Sequence, residues 1–360
     1  MKIALVHDDL MQWGGAEKVL AEISNIFPDA PIYTAIADFK NSLIAENFKN
    51  KKIVTSFLQK IPFHKELYKP LLPLYPIAFE QFDFTGFDLV ISQTTRFAKS
   101  IITKPETIHI CYTHTPPRFL WNFNGEKPDR FLKKLLSYLR DFDEISAKRV
   151  DYWIAGSENC KTRIKKIYQA DSKVLYPFVD TEKYNPAKSF AGDYYLIISR
   201  LNKYKKVDVA VNAFKSNGRK LKIIGTGPKF DEIKRTASGN VEVLGKVSDT
   251  LLDNLIAGCR GLIITAEEDF GMTSIEAQAM GKGVIAYGEG GALETVIPGK
   301  TGNYFVEQNS ESLNKAIEVF ESLKINPEDC YENAKKFSKE KFKNRLLELI
   351  KDVIPAKAGI

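Results

Sequence analysis

The sequence predicts an α/β protein made of two parallel, helix-covered sheets in tandem. Strand-length apolar runs alternate with helix-length amphipathic segments over almost the whole chain. The alternation comes in two series, divided by an aperiodic stretch holding Pro177, Pro186 and Gly192. The chain of 360 residues is too long for one ordinary core and suits two domains of roughly 150–200 residues.

The first series opens with a strand at Ile3–Val6, a helix from about Ala16 to Ile26 and a strand at Pro31–Ala35. Further strands are expected at Asp88–Ser92, Ile108–Tyr112 and Tyr152–Ala155. The second series places strands at Tyr195–Ser199, Lys220–Gly225, Val241–Leu244, Gly261–Thr265, Gly283–Tyr287 and Asn303–Val306. Helices fall between them at about Val207–Ser216, Lys229–Ala237, Ser248–Ile256, Ser274–Met280 and Ser310–Leu323. Such βαβ alternation implies two Rossmann-like halves. Leu175–Asp193 reads as the connection, giving domains at 1–180 and 181–340. A last amphipathic helix, about 341–354 with Phe342, Leu346, Leu349 and Val353 on one face, is expected to pack back on the first domain. Pro355–Ile360 reads as a frayed tail.

Composition narrows the class. The hydrophobic share is 44% and the charged share 27%, as in soluble globular proteins. No apolar stretch reaches the ~20 residues of a spanning helix, and the N-terminus lacks a secretory signal, so a cytoplasmic protein is expected. The four cysteines form no Cys-x-x-Cys pair, which argues against a zinc knuckle or a disulfide framework. A net charge of +7 fits nucleic acid, an anionic membrane or a phosphorylated substrate equally, but no nucleic-acid recognition module appears.

In open α/β sheets ligands bind outside the carboxyl ends of the strands, so the loops there hold the candidate site. The most specific is Ala266-Glu267-Glu268-Asp269-Phe270-Gly271-Met272-Thr273-Ser274-Ile275-Glu276, which leaves a strand and opens a helix. Glu268 lies in the loop and Glu276 in the helix, so both can face one cleft. The amides of Gly271, Met272 and Thr273 are donors at a helix N-terminus, where an anion is favoured. A Glu-x7-Glu pair alone also fits a capped surface helix; the Phe-Gly within it and the strand after Gly281 favour a site.

With these residues the chain resembles family 4 of the GT-B fold glycosyltransferases, also called glycosyl transferases group 1, over nearly its full length. The resemblance implies two Rossmann-like domains facing each other across a deep cleft. His7-Asp8 with Gly14-Gly15-Ala16-Glu17 resembles the family's first loop, whose glycines let backbone approach the donor phosphate and acceptor. Tyr112-Thr113-His114-Thr115-Pro116-Pro117-Arg118 resembles a motif of the lipopolysaccharide and O-antigen mannosyltransferases and makes His114 a catalytic candidate. Arg200 and Lys205 resemble the family's Arg-x4-Lys pair, which holds the donor diphosphate, although Lys206 lies next in register. Two fixed cations suit a departing nucleoside diphosphate because negative charge develops on its oxygens. Gly225-Thr226-Gly227, Gly290-Gly291 and Lys300-Thr301-Gly302 follow the family order, and Val247 resembles the residue whose backbone meets the donor base.

The resemblance implies a retaining hexosyltransferase that binds a nucleotide-sugar donor, GDP-mannose first, and a lipid-linked or glycan acceptor, with no cofactor and no metal. Glu276 would take the ribose hydroxyls. Glu268, with backbone from Phe270, Gly271, Met272 and Thr273, would hold phosphate and sugar, and His114 with Gly14-Gly15 would complete the site. An epimerase or phosphorylase of the same fold, or a non-catalytic sugar-nucleotide-binding subunit, stays open. Asp141-Phe142-Asp143 has the letters of a metal-binding Asp-x-Asp but sits in a charged helical stretch and reads as a solvated face. Gly299-Lys300-Thr301 lacks the glycine a phosphate-binding P-loop requires. From Lys51 to Phe87, Lys60, Lys65 and Lys69 mix with Phe57, Phe63, Tyr68, Tyr75 and Phe79. That mixture suits either a loop-rich subdomain edge or contact with the inner face of the cytoplasmic membrane.

Overall fold

The computed structural model describes residues 1–68, 70–121 and 130–357. The chain divides into two compact units, Met1–Tyr176 with the chain from Lys343 onward, and Pro177–Phe342.

The first unit runs β1 (Ile3–His7), α1 (Gly15–Ile26), β2 (Ile32–Thr34), α2 (Ser42–Asn47), β3 (Ile53–Thr55), α3 (Tyr75–Glu80), β4 (Leu89–Thr94), β5 (Ile108–Thr113), α4 (Arg130–Ala147), β6 (Tyr152–Ala155), α5 (Glu158–Tyr168) and β7 (Ser172–Val174). Its seven-stranded sheet is parallel throughout, in the order β3-β2-β1-β4-β5-β6-β7. β1, β4 and β5 are almost wholly buried, which is why they read as apolar runs. The edge strands β3 and β7, three residues each and only half-buried, carry no such signal and escape the sequence reading.

The second unit runs β8 (Tyr194–Ile198), α6 (Val207–Asn217), β9 (Lys220–Ile224), α7 (Phe230–Thr236), β10 (Val241–Gly245), α8 (Asp249–Ala257), β11 (Gly261–Ile264), α9 (Met272–Ala279), β12 (Val284–Tyr287), α10 (Ala292–Thr295), β13 (Gly302–Phe305), α11 (Ser310–Ser322) and α12 (Pro327–Lys335). Its parallel sheet has the order β10-β9-β8-β11-β12-β13. α6 and α11 cover one face through Phe214, Ile317 and Phe320. α13 (Lys339–Lys357) begins in this unit, and its later turns belong to the first.

In both sheets the strand order reverses at one place, between β1 and β4 and between β8 and β11. There successive crossovers run in opposite directions and leave a crevice at the carboxyl ends, where open α/β sheets bind ligands.

Three readings need correction. Asp143 is no solvated residue: it is fully buried, ion-paired to the buried Lys99, and accepts from Trp121 Nε1 at 2.9 Å and the Tyr168 hydroxyl at 2.7 Å. Burying a charge is tolerable only with such saturation. Within the aromatic stretch, Tyr75 and Phe79 are core residues, and Lys65 pairs with Asp38; Lys69 lies outside the described residues. Past Pro177 the connecting segment packs within the second unit. Val179 donates to the Phe337 carbonyl at 2.8 Å, Phe178 packs on Phe342 and Tyr184 is buried. Finally, residues 355–357 form the last turn of α13 rather than a frayed tail; 358–360 lie outside the described residues.

Candidate active site

At the switch point of the second unit, β8 delivers Ser199-Arg200-Leu201, and a 3-10 turn at Lys203–Lys205 leads into α6. This loop is held by the turn after β9. Ser199 and Leu201 donate to the carbonyls of Ile224 and Thr226, and Lys229 donates to that of Leu201. The approach is so close that a Cβ on Gly225 would lie 1.8 Å from the Ser199 oxygen, and one on Gly227 would lie 2.6 Å from the Leu201 oxygen. Both glycines also have φ above +140°, which side chains rarely adopt. The Gly-x-Gly letters therefore place Arg200 and Lys205.

The two cations differ. Lys205 is buried, and its ammonium donates to Glu268 Oε1 at 2.6 Å. Its carbonyl accepts from Thr265 Oγ1 at 2.6 Å, so β11 holds it on both sides. Arg200 is exposed, and its guanidinium has no partner among the described residues. Lys203 is exposed, and Lys206 takes a left-handed φ of 52° at the start of α6, so it is Lys205 that meets the loop after β11.

That loop carries the other half. Glu268 is bridged to Gly290, and Gly291 donates to the Glu268 carbonyl at 2.8 Å. A Cβ on Gly291 would lie 2.3 Å from Phe270 Cα, so the Gly290-Gly291 turn backs the motif at van der Waals range. Phe270 is buried and packs its ring onto Phe337, with centroids 5.3 Å apart. Gly271, at φ 90°, forms the N-cap of α9 and offers no side-chain cap to Met272 and Thr273. The helix start therefore favours an incoming anion. Glu276 is buried on α9. Tyr184, from the connecting segment, is its neighbour: burial first, then the charge of Glu276 among others, pushes its phenol far above the ordinary value. Val247 is half-buried beyond β10, an edge strand two places from β8. Lys300, of the failed P-loop, pairs with Asp329.

In the first unit the switch point joins His7 at the end of β1, with Asp8 and Asp9 beyond it, to the loop after β4. Gly14, the N-cap of α1, donates to Glu17 Oε2 at 2.9 Å, and Glu17 Oε1 lies 3.8 Å from His7 Nε2. Burial works to lower the His7 pKa, but Glu17, with Asp8 and Asp9, holds it above 6.5. Asp9 pairs with Arg96 at 2.7 Å, yet burial lifts its carboxyl above the usual range. His114 is half-buried at the end of β5, 5.0 Å from the Tyr112 ring. Gln93 Nε2 lies 2.6 Å from His114 Nε2 and donates to the Ala16 carbonyl at 2.8 Å. One carboxamide thus ties His114 to the Gly14-Gly15-Ala16 turn. Sequence reasoning missed Gln93 and Arg96; the polar run Ser92-Gln93-Thr94-Thr95-Arg96 closing an apolar strand is the signal that marks them. Among the described residues no group of three or more His, Cys, Asp or Glu could hold a metal ion.

Two parallel, helix-covered units in tandem are the GT-B architecture of known glycosyltransferase structures. Residues 180–337 match the family described as Glycosyl transferases group 1. Over the whole chain, alpha-1,3/1,6-mannosyltransferase ALG2 of Dictyostelium discoideum is 25% identical, covering 98% of each protein. An uncharacterised glycosyltransferase of Methanocaldococcus jannaschii is 30% identical over 56% of this chain and 58% of its own. Among solved structures, Anabaena HepE in complex with UDP and glucose superposes with a TM-score of 0.73 at 19% identity, covering 98% of this chain and 100% of that one. Sucrose-phosphate synthase from Thermosynechococcus elongatus gives 0.77 at 14% identity, covering 99% and 100%.

Proposed function

We propose that this protein is a retaining, metal-independent hexosyltransferase. It moves mannose from GDP-mannose to a lipid-linked or polysaccharide acceptor of envelope glycan synthesis. The observation that carries this reading is the pairing of buried Lys205 with half-buried Glu268, beside an Arg200 guanidinium that has no partner among the described residues, at the second switch point. The curated mannosyltransferase relatives support the donor sugar.

Arg200 and Lys205 hold the diphosphate, assisted by the amides of Met272 and Thr273 at the open end of α9. Glu276 takes the ribose hydroxyls. Glu268, oriented by Lys205, takes hydroxyls of the sugar. The bond from the anomeric carbon to the diphosphate breaks as the bond to the acceptor hydroxyl forms on the same face. The acceptor proton passes to the departing diphosphate oxygen, whose charge the two cations stabilise. They supply the positive field that a metal ion supplies elsewhere. His114 is the catalytic candidate of the first unit, tied through Gln93 to the Gly14-Gly15-Ala16 segment.

A thermal-shift panel of GDP, UDP and dTDP tests the donor, since a ligand at 100 times its Kd adds ~2.7 kcal/mol of stability. GDP should stabilise most. Stabilisation by UDP with none by GDP would replace the donor with a UDP-sugar, the class that the HepE complex favours. Transfer should survive excess chelator; loss restored by manganese would end the metal-independent reading.

We also propose peripheral attachment to an anionic membrane. No helix among the described residues is long and apolar enough to cross one. Phe57, Phe63, Leu67, Leu74 and Ile77 are exposed in one segment with Lys60, and Phe63 is 75% exposed.

A further inference from the structure

We propose that Gln93 is a positioning residue that holds His114 in its Nδ1-protonated form, with the Nε2 lone pair fixed toward the sheet. The inference builds on the assignment of His114 to the transfer site. Gln93 is the penultimate residue of β4, paired with His7 of β1 and Tyr112 of β5, and it is buried. Its Nε2 carries two hydrogens and meets two groups: the Ala16 carbonyl at 2.8 Å and His114 Nε2 at 2.6 Å. The carbonyl can only accept, which fixes the amide with its nitrogen on that side. The same nitrogen cannot accept, so the His114 nitrogen facing it must, and the neutral imidazole carries its proton on Nδ1.

A merely structural residue would not be built this way. Gln93 Oε1 is buried with no hydrogen-bond partner among the described residues, a liability that leucine in the same space would avoid. The donor pair on Nε2 is what glutamine adds. Protonating His114 on Nε2 would set two donors face to face, so Gln93 keeps the ring neutral and orients it. The ionisable groups on the packed elements include His7, Asp8, Asp9 and Glu17 around β1, Arg96 beyond β4, Cys111 and Tyr112 on β5, and Cys160 and Arg163 on α5.

The chain holds four histidines, so long-range ¹H–¹⁵N spectra of the full protein can resolve each ring, with His114→Gln assigning its own. Wild type should show the His114 proton on Nδ1. Gln93→Leu should move it to Nε2, and the near-isosteric Gln93→Glu should raise the His114 titration midpoint by about 1–3 pH units. Gln93→Leu should also lower kcat at least about tenfold while leaving the KM for the donor unchanged. Nε2 protonation in wild type, or identical His114 titration in all three proteins, overturns the proposal. If the tautomers behave as stated but His114→Gln transfers sugar at the wild-type rate, Gln93 still positions the ring and only the role of His114 in transfer falls.

Discussion

Beyond β1, the Asp8 carboxylate accepts five hydrogen bonds, from the hydroxyls of Thr94 and Thr95 and the amides of Thr95, Phe97 and Ala98. Beyond β8, at the equivalent place in the second sheet, the exposed Arg200 guanidinium has no partner among the described residues. Both loops occupy the reversal of their strand order, where a ligand is expected. In the first unit the charged groups are used to build the loop itself: His7 with Glu17, Arg96 with Asp9, Asp8 with the turn after β4. In the second, glycines build the loop by close backbone approach, and charge is left over for a ligand. Polar residues at a strand end therefore have two uses, and sequence position does not tell them apart.

The comparison breaks most visibly at Asp8. Asp8→Ala strands its donors in a buried site and should cost about 3–5 kcal/mol of stability, read from denaturant unfolding. A change under 1 kcal/mol would mean that the first loop does not depend on its carboxylate. Arg200→Ala should do the reverse: turnover falls ~100-fold, by analogy with losing an oxyanion donor, while the melting temperature stays within a degree or two. Lys203→Ala should be nearly silent in both measurements, and equal effects at Lys203 and Arg200 would dissolve the distinction between site and solvated loop.

Titration sharpens the same contrast. His7 has its folded pKa raised above 6.5, so its pairing with Glu17 contributes stability fully present below pH 6.5, which is lost as pH rises through the raised value. Glu17 is shifted the other way: burial works to raise its pKa, but His7 and the Gly14 amide outweigh it. Its share is present above 4.5 and lost as pH falls through the lowered value. Wild-type stability should therefore decline above pH 6.5 more steeply than that of His7→Gln, in urea melts at pH 6 and pH 8. Parallel decline in the two proteins would remove His7 from the ledger of the first loop.

The smallest effect is expected at the exposed apolar segment. Lys60→Glu combined with Phe63→Ser should reduce flotation with anionic vesicles several-fold, at ~1 kcal/mol per lysine near such a surface, and high salt should do likewise. Donor binding should not change. Flotation untouched by the double substitution would rule this segment out as the membrane contact.

Much of this was legible without coordinates. Continuous apolar runs marked the central strands because both faces of a parallel sheet are covered, and their alternation with helical periods set the α/β class. The loops after β8 and β11 could be read because their constraints are local: a glycine at positive φ, a glycine without room for a Cβ, an acid placed by the spacing of one helix. The tertiary structure alone decided which lysine meets Glu268, because Lys205 and Lys206 differ by the direction a backbone turn gives them. It alone turned Asp143 from a surface acid into the buried partner of Lys99, a residue 44 positions away. Gln93 shows the same limit. Its meaning lies in Ala16 and His114, which β1, β4 and β5 bring together only once paired. Periodicity and glycine geometry are properties of neighbouring residues and stay visible along a chain. The partner of a buried polar group is a property of packing, and no stretch of sequence contains it.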